Sequence, residues 1–278
     1  MKRKILIVNV LFCLIIQCYS QDKYIVNDYW YKDIYVIHND KLYHYNELTN
    51  EKNIITNFVI NKNRFGYYQL TIENKITNYV PNYPYTELDI RQLNNSQYQL
   101  PYSDIGIKYI KSSSFLREKF NGTLFEYKAD NLLKRFVKEA ESFYLYNVDA
   151  MPWVEGQNDF GRDEYLDITF TQEQDTILLL NGYVDFTKQS LFMDNNRLKS
   201  INITSLDQKN KFVINVSLED GVLFSVIKLP HLTNRIKLSI IDVYKGTKYN
   251  DTCISAIIAL KSSEMPAIDT KEIISEFN

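Results

Sequence analysis

The sequence has few of the residues that several functional classes require. Only 3 Cys, 3 His and 8 Gly occur among 278 residues, and they form no zinc-binding spacing, no Ser-His-Asp arrangement and no glycine-rich phosphate loop. The formal net charge is −2, with both signs interspersed. No basic patch for nucleic acid or an anionic membrane is therefore indicated, and we expect no nucleic-acid partner.

The first 20 residues resemble a targeting segment. Lys2, Arg3 and Lys4 precede an apolar run from Ile5 to Ile16, and the run leads to small Ser20. This pattern predicts a secretory signal peptide, residues 1–20, and the run is too short for a confident membrane span. We expect a protein that is secreted or held in the cell envelope, without membrane insertion after signal removal.

Cleavage of the signal peptide would determine which cysteines remain in the protein. Lipid anchoring at Cys18 is the minor alternative, because Gln17 stands where lipoprotein signals have a small residue. Cys13 and Cys18 would leave with the signal peptide, so Cys253 would remain alone and no disulfide could form within the chain. Cys253 starts an apolar stretch, which predicts a buried small hydrophobic residue rather than a nucleophile.

Residues 21–110 are predicted to form a small tyrosine-rich β region. Asn39 and Asp40 indicate a hairpin turn, and Val80-Pro81-Asn82-Tyr83-Pro84-Tyr85 indicates an extended linker or edge. Alternating tyrosines are typical of packing on a half-buried sheet, although a protein partner of this region is an alternative. The predicted strands are Tyr29 to His38, Lys41 to Tyr45, Asn57 to Asn61 and Gly66 to Glu73.

One helix is predicted between the two β regions. Asp130 can cap a helix whose apolar residues have helical spacing and whose charged residues lie on the other side. The apolar positions of this predicted helix are Leu132, Leu133, Phe136, Val137, Ala140 and Phe143.

Residues 111–262 otherwise show a β pattern. Leu166, Ile168 and Phe170 alternate with polar residues, and similar strands recur without intervening helices. This arrangement predicts an all-β fold, an antiparallel jelly-roll sandwich, followed by a tail at 263–278. One strand should end at Val243 and another should begin at Cys253. Between them lies a polar loop turned at Gly246, in the position where β domains place binding sites.

Five stretches in this region, taken together, resemble one family. They are Met151-Pro152-Trp153-Val154-Glu155-Gly156, Gly161-Arg162-Asp163-Glu164-Tyr165-Leu166, Leu180-Asn181-Gly182-Tyr183, Asp194-Asn195-Asn196-Arg197-Leu198-Lys199 and the run from Ile241 to Ser255. In this order they resemble the NADase-type glycan-binding domain, over about residues 112–260. The resemblance implies a galactose-binding-like jelly roll, similar to discoidin modules, that binds glycans.

The sequence departs from the family pattern in three ways. Ala256 stands where the family usually has an acidic residue, the segment before Trp153 is longer, and no hydrolase domain follows. We therefore do not expect NAD glycohydrolase activity.

The loops of the resemblance provide the groups that a sugar receptor needs. A sugar offers apolar C–H faces and a ring of hydroxyls, which aromatic platforms and polar side chains bind together. Trp153, Tyr183 and Tyr249 are candidate platforms, whereas Arg197 could donate to two oxygens. The other candidate ligand-binding residues are Glu155, Asn195, Asp242, Tyr244, Lys248 and Asp251.

Each of these candidates has a structural alternative. Trp153 could equally fill the core, the Asn181-Gly182 and Asn195-Asn196 pairs are turn formers, and Arg197 could pair with Asp242. The sequence thus predicts a secreted, non-catalytic carbohydrate-binding protein that needs no cofactor, and a structural calcium ion stays open. The alternatives are a protein-docking scaffold at the cell surface and a glycosidase that uses Glu155 with Asp163 or Glu164.

Overall fold

The computed structural model describes residues 23–28, 33–46, 48–73, 75–79, 99–100, 105–140, 143–146, 150–264 and 274–277. The predicted signal peptide, with Cys13 and Cys18, and the predicted linker at 80–85 lie outside these residues. Within them, no helix has the length and apolar character needed to cross a membrane.

Two small antiparallel sheets form the N-terminal region. β1 to β4 pair in chain order, β5 to β7 form the second sheet, and Tyr35, Leu42 and Leu70 pack together in the core that the sheets share. Asn39 and Asp40 have φ angles of 48° and 58° and connect β2 to β3, which confirms the predicted hairpin. The strands are β1 Lys23–Asp28, β2 Asp33–His38, β3 Lys41–Asn46, β4 Glu51–Ile55, β5 Phe58–Lys62, β6 Tyr68–Ile72 and β7 Lys75–Tyr79.

The remaining strands belong mainly to a larger sandwich. They are β8 Gln99–Leu100, β9 Ile107–Ser112, β10 Arg117–Phe120, β11 Thr123–Glu126, β12 Phe136–Ala140, β13 Phe143–Tyr146, β14 Trp153–Val154, β15 Tyr165–Asn181, β16 Arg197–Ser205, β17 Val213–Ser217, β18 Phe224–Tyr244 and β19 Cys253–Leu260. The short helix α1 spans Ser190–Asp194, and 3₁₀ helices span Ala129–Lys134 and Ser262–Glu264.

Two long strands, β15 and β18, build both layers of the sandwich. The first half of β15 pairs with β9 and with the second half of β18, whereas its second half pairs with β19 and the first half of β18. β16 and β17 extend one layer, and β14 extends the other. These antiparallel layers confirm the predicted jelly-roll sandwich. Because β9 belongs to it, the sandwich begins a few residues before position 111.

The second half of β15 is buried on both faces. Ile177 and Leu179 point into the core between the layers, whereas Leu178 and Leu180 pack on the outer face against Tyr67, Phe136 and Phe192. All eight residues of β19 are buried for the same reason. An apolar run without polar alternation is the expected pattern for a strand covered on both sides.

The N-terminal region is attached to this outer face through Tyr67. The side chain of Tyr67 is fully buried, its hydroxyl donates to the carbonyl of Asp185 at 2.9 Å, and its backbone bridges Val222. Lys62 adds a bond from Nζ to the carbonyl of Asp220 at 2.6 Å. The two regions therefore share a core and are not independent modules.

The described part of the C-terminal tail packs against the opposite end of the N-terminal region. Ile274 and Phe277 cover Val36 and Tyr43, with the Tyr43 and Phe277 rings in an edge arrangement at 5.1 Å. Lys52 Nζ lies 2.9 Å from the Glu276 carboxylate. No role for this tail could be predicted from the sequence, and the structure shows that it shields one face of the β1–β4 sheet.

The helix predicted from Leu132 to Phe143 is wrong. A 3₁₀ helix ends at Lys134, and β12 and β13 follow as a hairpin that pairs with β8. Consecutive Arg135 and Phe136 are both buried, and the Arg135 guanidinium donates to the carbonyls of Ser255, Ala150 and Val184. These long-range contacts outweigh a helical spacing, which is only a weak local preference.

Candidate functional site

Several loops meet at one end of the sandwich, which we call the rim. β14, β15 and β18 end there, and β16 and β19 begin there, as shown by the pairs Val154 with Cys253 and Arg197 with Tyr244. The rim comprises residues 155–164, 182–196 and 245–252, together with the hairpin of β10 and β11. It holds six of the ten candidate ligand-binding residues, Glu155, Tyr183, Asn195, Lys248, Tyr249 and Asp251. The other four, Trp153, Arg197, Asp242 and Tyr244, lie on the strands that border it.

Two of these loops are bonded along their length. Asn196 N–H donates to the Asp251 carbonyl at 2.9 Å, and the N–H groups of Lys248 and Tyr249 donate to the Asp194 carbonyl at 3.1 and 2.8 Å. Gly246 permits this approach, because a Cβ there would lie 2.5 Å from the same carbonyl. The 245–252 loop is therefore held in place by backbone bonds, as a binding loop on a rigid scaffold should be.

Arg197 stabilises the rim from within and is only 2% exposed. Its guanidinium makes a two-pronged contact with Asp220 at 3.0 and 2.9 Å and also donates to the carbonyls of Asn195 and Lys245. The structural alternative for Arg197, an ion pair with Asp242, is therefore not observed. Asp242 instead pairs with Lys199 at 2.7 Å on the surface, and the Arg197 fork has no free donor pair to offer a ligand.

Trp153 lies in the core. It is 0% exposed, it packs with the residues between the two layers, and its indole N–H donates to the Ser114 carbonyl at 3.1 Å. Of the two interpretations of Trp153, the structure supports the core residue. It is not available as a stacking platform at the surface.

Glu155 is enclosed beneath the rim and is 0% exposed. Its carboxylate accepts the N–H of Gln157 at 2.7 Å and that of Thr252 at 3.4 Å, so it links two rim loops. Burial raises the pKa of Glu155 to about 7, assisted by the charges of Asp251 and Asp159, although the two N–H bonds oppose the shift. This carboxyl is placed to connect loops rather than to meet a ligand.

The Asn181-Gly182-Tyr183 segment presents a tyrosine at the rim. Asn181 bonds the backbone of Leu198 through both side-chain atoms, at 2.7 and 2.8 Å. Gly182 has a φ of +75°, and a Cβ there would lie 2.7 Å from Arg197 Cγ. Ser255 Oγ then accepts the Val184 N–H and donates to the Gly182 carbonyl. The backbone around Tyr183 is thus fixed on both sides. The positive φ belongs to Gly182, whereas Asn181 is the last residue of β15.

Tyr183 is half-buried and meets residues that sequence reasoning did not select. Its ring packs edge-on against that of Tyr127 at 6.4 Å, and the Tyr127 hydroxyl donates to the Glu118 carboxylate at 3.2 Å. Burial, and then the charge of Glu118, raises the pKa of Asp251. Two aromatic rings and two carboxylates therefore share one part of the rim. Glu118 and Tyr127 carry no recognisable motif, so only the folding of their hairpin reveals them.

The other candidates differ in what they expose. Tyr249 is 39% exposed, and Lys248 Nζ lies 4.8 Å from its ring centroid. Tyr244 is half-buried and donates its hydroxyl to the Leu218 carbonyl at 2.9 Å. Asn195 is 6% exposed and donates its amide to the Leu191 carbonyl. Of the predicted residues, Tyr183, Asp242, Lys248, Tyr249 and Asp251 reach the surface with groups that a ligand could contact.

A protein-family model matches most of the second half of the chain and identifies the family to which the chain belongs. The model of the NAD glycohydrolase translocation F5/8 type C domain matches residues 102–260. The chain belongs to this family. The match covers more than half of the chain, including all strands of the sandwich and the whole rim. No curated protein matches the chain.

Solved structures with similar chain paths include lectin and carbohydrate-binding domains. A mutant of the lectin binding domain of lectinolysin, complexed with Lewis b, is 11% identical with a TM-score of 0.36, and the match covers 57% of this chain and 96% of that one. A CBM32 domain of a GH31 protein, bound to GalNAc, is 13% identical with a TM-score of 0.35, covering 55% and 98%. The C-terminal domain of a chitobiase from Bacteroides fragilis is 16% identical with a TM-score of 0.34, covering 58% and 95%.

The structure explains one departure from the family pattern. Ala256, where the family usually has an acid, is fully buried in the cluster that contains Tyr67. A carboxylate at this position would be buried among apolar side chains, so a small apolar residue suits this cluster.

The described residues supply no carboxylate-rich metal site. No group of three or more His, Cys, Asp or Glu side chains among them is placed to hold a metal ion, so they do not provide the acidic ligand set that a structural calcium ion favours. Cys253 is buried, and burial raises the pKa of its thiol well above the usual value. This matches the predicted role as a small hydrophobic residue and not as a nucleophile.

Proposed function

We propose that the protein is exported and binds glycans at the rim without catalysing a reaction on them. The observation that carries the proposal is the packing of Tyr183 against Tyr127 beside the carboxylates of Glu118 and Asp251. Aromatic rings bind the C–H faces of a sugar, and carboxylates accept bonds from its hydroxyls. Membership of the F5/8 type C domain family supports the same conclusion.

The rigidity of the site supports a role in ligand binding. Ser255 and Asn181 fix the backbone on both sides of Tyr183, and backbone bonds hold Asp251 and Tyr249. A receptor whose groups are already in place loses little conformational entropy when it binds a ligand. Tyr249 and Lys248 provide a second exposed contact on the same rim.

The glycosidase alternative has less support from the geometry. Of the carboxylates it would use, Glu155 has the raised pKa that a general acid needs, but it is fully enclosed and bonded to two backbone N–H groups. A catalytic acid must reach the glycosidic oxygen of its substrate. We therefore assign Glu155 to the structure of the rim.

A glycan array tests the proposal. Residues 21–278 should be applied beside the variants Tyr183→Ala and Tyr249→Ala, with Tyr109→Ala as the control. Tyr109 is as exposed as Tyr249, at 39%, but it lies on β9, outside the rim. We expect binding by the wild type and by Tyr109→Ala, and at least about tenfold weaker binding by Tyr183→Ala.

Two results would oppose the proposal. Absence of binding to every glycan by a folded wild-type sample would remove glycan recognition. Equal binding by Tyr183→Ala, Tyr249→Ala and the wild type would place the site elsewhere on the molecule. Circular dichroism and thermal unfolding of each variant would show that a loss of binding is not a loss of fold.

A further inference from the structure

The hairpin formed by β10 and β11 projects from the rim. Asn121 and Gly122 connect its strands with φ angles of 49° and 84°, which is the backbone of a tight two-residue turn. All four residues of β10 are exposed, and Phe120 at the tip is 67% exposed. A large aromatic side chain left in water beside a binding site is a candidate contact for a ligand.

The two faces of this hairpin differ in chemistry. The cross-strand pairs are Arg117 with Glu126, Glu118 with Phe125, Lys119 with Leu124, and Phe120 with Thr123. Paired residues share a face, and neighbours along a strand alternate. Face A therefore carries Glu118, Phe120, Thr123, Phe125 and, one step further, Tyr127. Face B carries Arg117, Lys119, Leu124, Glu126 and Lys128.

Side-chain contacts bear out this division. On face B, Glu126 pairs with Arg117 at 3.1 Å and with Lys128 at 2.6 Å. On face A, the Tyr127 hydroxyl bonds Glu118. The cations of the hairpin thus lie on face B, and face A carries aromatic rings and one carboxylate.

Face A is continuous with the site proposed above. Tyr127 belongs to both, because its ring packs against Tyr183 and its hydroxyl contacts Glu118. From Tyr127 the face runs through Phe125 to Phe120 opposite Thr123. Tyr127 and Thr123 are four strand steps apart, which corresponds to roughly 14 Å. This distance is longer than a single sugar ring. The aromatic surface therefore extends well beyond the space that a terminal monosaccharide would occupy.

We propose that face A extends the rim site, so that the protein binds an uncharged oligosaccharide along the hairpin, with Phe120 as the distal stacking platform. This inference rests on the proposed glycan-binding function. An uncharged chain fits because the carboxylates of Glu118 and Asp251 border the path, whereas the hairpin cations point to the other face. An acidic or sulfated glycan would be repelled.

Leu124 provides a matched control for Phe120. It is 59% exposed and also lies near the tip, but on face B. A partner that surrounds the tip, such as an apolar protein surface or a lipid surface, would contact both side chains. An oligosaccharide lying on face A would contact Phe120 and leave Leu124 free.

The test uses an array of uncharged glucose, mannose, galactose and N-acetylhexosamine series, each from monosaccharide to hexasaccharide, with a sulfated series beside them. Residues 21–278 are compared with Phe120→Ala and Leu124→Ala. We expect the wild type to prefer the longer members of an uncharged series. Phe120→Ala should bind the hexasaccharide about tenfold more weakly and the shortest bound member unchanged, and Leu124→Ala should match the wild type.

The outcomes separate this inference from the proposed function. Binding that does not depend on chain length, or equal losses in Phe120→Ala and Leu124→Ala, would overturn the extended site while glycan binding stands. Preference for the sulfated series would overturn the assignment to uncharged chains. No binding to any glycan by the folded wild type would overturn the proposed function, and the extended site with it.

Discussion

At the scale of single residues, the buried polar side chains of the rim stabilise the fold, and the half-exposed ones face the solvent. Arg197, Glu155 and Asn181 are buried and each bonds backbone groups of a second segment. Tyr183 and Asp251 lie on the segments that these bonds hold. The division follows from the cost of desolvation, because a buried polar group is stable only when its bonds are satisfied within the protein.

Arg197 provides the first prediction. Replacing it by alanine would leave Asp220 without its two-pronged partner and the carbonyls of Asn195 and Lys245 without their donor. We expect Arg197→Ala to lower the free energy of unfolding by about 3 kcal/mol, measured by urea denaturation. Lys199→Ala, which removes the exposed ion pair with Asp242, should have no measurable effect. Equal losses in the two variants would contradict the structural role of Arg197.

Glu155 provides a prediction about pH. Its pKa is about 7 in the folded chain against 4.5 as the ordinary value, so between these values the folded chain binds a proton that the unfolded chain has released. The contribution of Glu155 to stability should therefore fall as pH rises from about 4.5 to 7 and be lowest above 7. The Glu155→Gln variant has no ionisable group at this position. Its free energy of unfolding, relative to that of the wild type, should therefore rise by up to about 3 kcal/mol between about pH 4.5 and 7.

Urea denaturation at several pH values from 4 to 8 measures this difference. Glu173→Gln, at an exposed residue of β15, is the control for replacing a glutamate by glutamine. If the Glu155→Gln difference is constant with pH, the pKa of Glu155 is the same in the folded and the unfolded chain, and the account of its burial is wrong.

The roles of several residues could be predicted from neighbouring residues in the sequence, but their contacts with distant parts of the chain could not. Gly182 tolerates a positive φ in any context, and Cys253 follows a polar loop and starts an apolar run, so both predictions agree with the structure. Trp153 and Arg197 have side chains that suit a core or a surface equally. Their roles depend on Ser114 and Asp220, which are distant in sequence and carry no signal that connects them.

At the scale of elements, alternation of apolar and polar residues predicted the strands well. Leu166, Ile168 and Phe170 point into the core as their spacing indicates, and the strand that starts at Cys253 is observed. The predicted helix failed because a helical spacing over six positions is also compatible with a turn followed by two strands. The buried bonds of Arg135 and the pairing of β13 with β8 decide the outcome, and neither is local.

Tyr67 provides a prediction about how the elements are joined. It is 0% exposed between the N-terminal sheets and the outer face of β15 and β19. We expect Tyr67→Ala to destabilise the protein by about 3–5 kcal/mol, as other large-to-small core changes do. Tyr67→Phe removes only the hydroxyl bonds with Asp185 and should cost about 1 kcal/mol.

Thermal and urea unfolding measure these losses, with Tyr109→Ala as an exposed tyrosine for comparison. A Tyr67→Ala variant as stable as the wild type would show that the N-terminal region contributes little to the sandwich. The two regions would then be separate modules, as the sequence boundary near residue 110 suggested.

At the scale of the whole molecule, the described strands of the N-terminal region pack on an outer face of the sandwich and contact the rim at Asp185 and Gln189. Tyr67 and the C-terminal turn at Ile274 and Phe277 hold the small sheets in place. The sequence predicted the antiparallel sandwich, because periodicity is a property of long segments, and the boundary between the two regions near residue 110 stays a prediction. Their docking could not be predicted, since it depends on one tyrosine among 22.

The central claim is that a glycan binds between Tyr183, Tyr127 and Asp251 at the rim. A crystal structure of residues 21–278 with the uncharged oligosaccharide that binds most strongly on the array tests it most directly. The account predicts a sugar ring against Tyr183, with hydroxyls bonded to the carboxylates of Asp251 and Glu118. A sugar bound elsewhere, on the N-terminal sheets or on the outer face of β9, would contradict it.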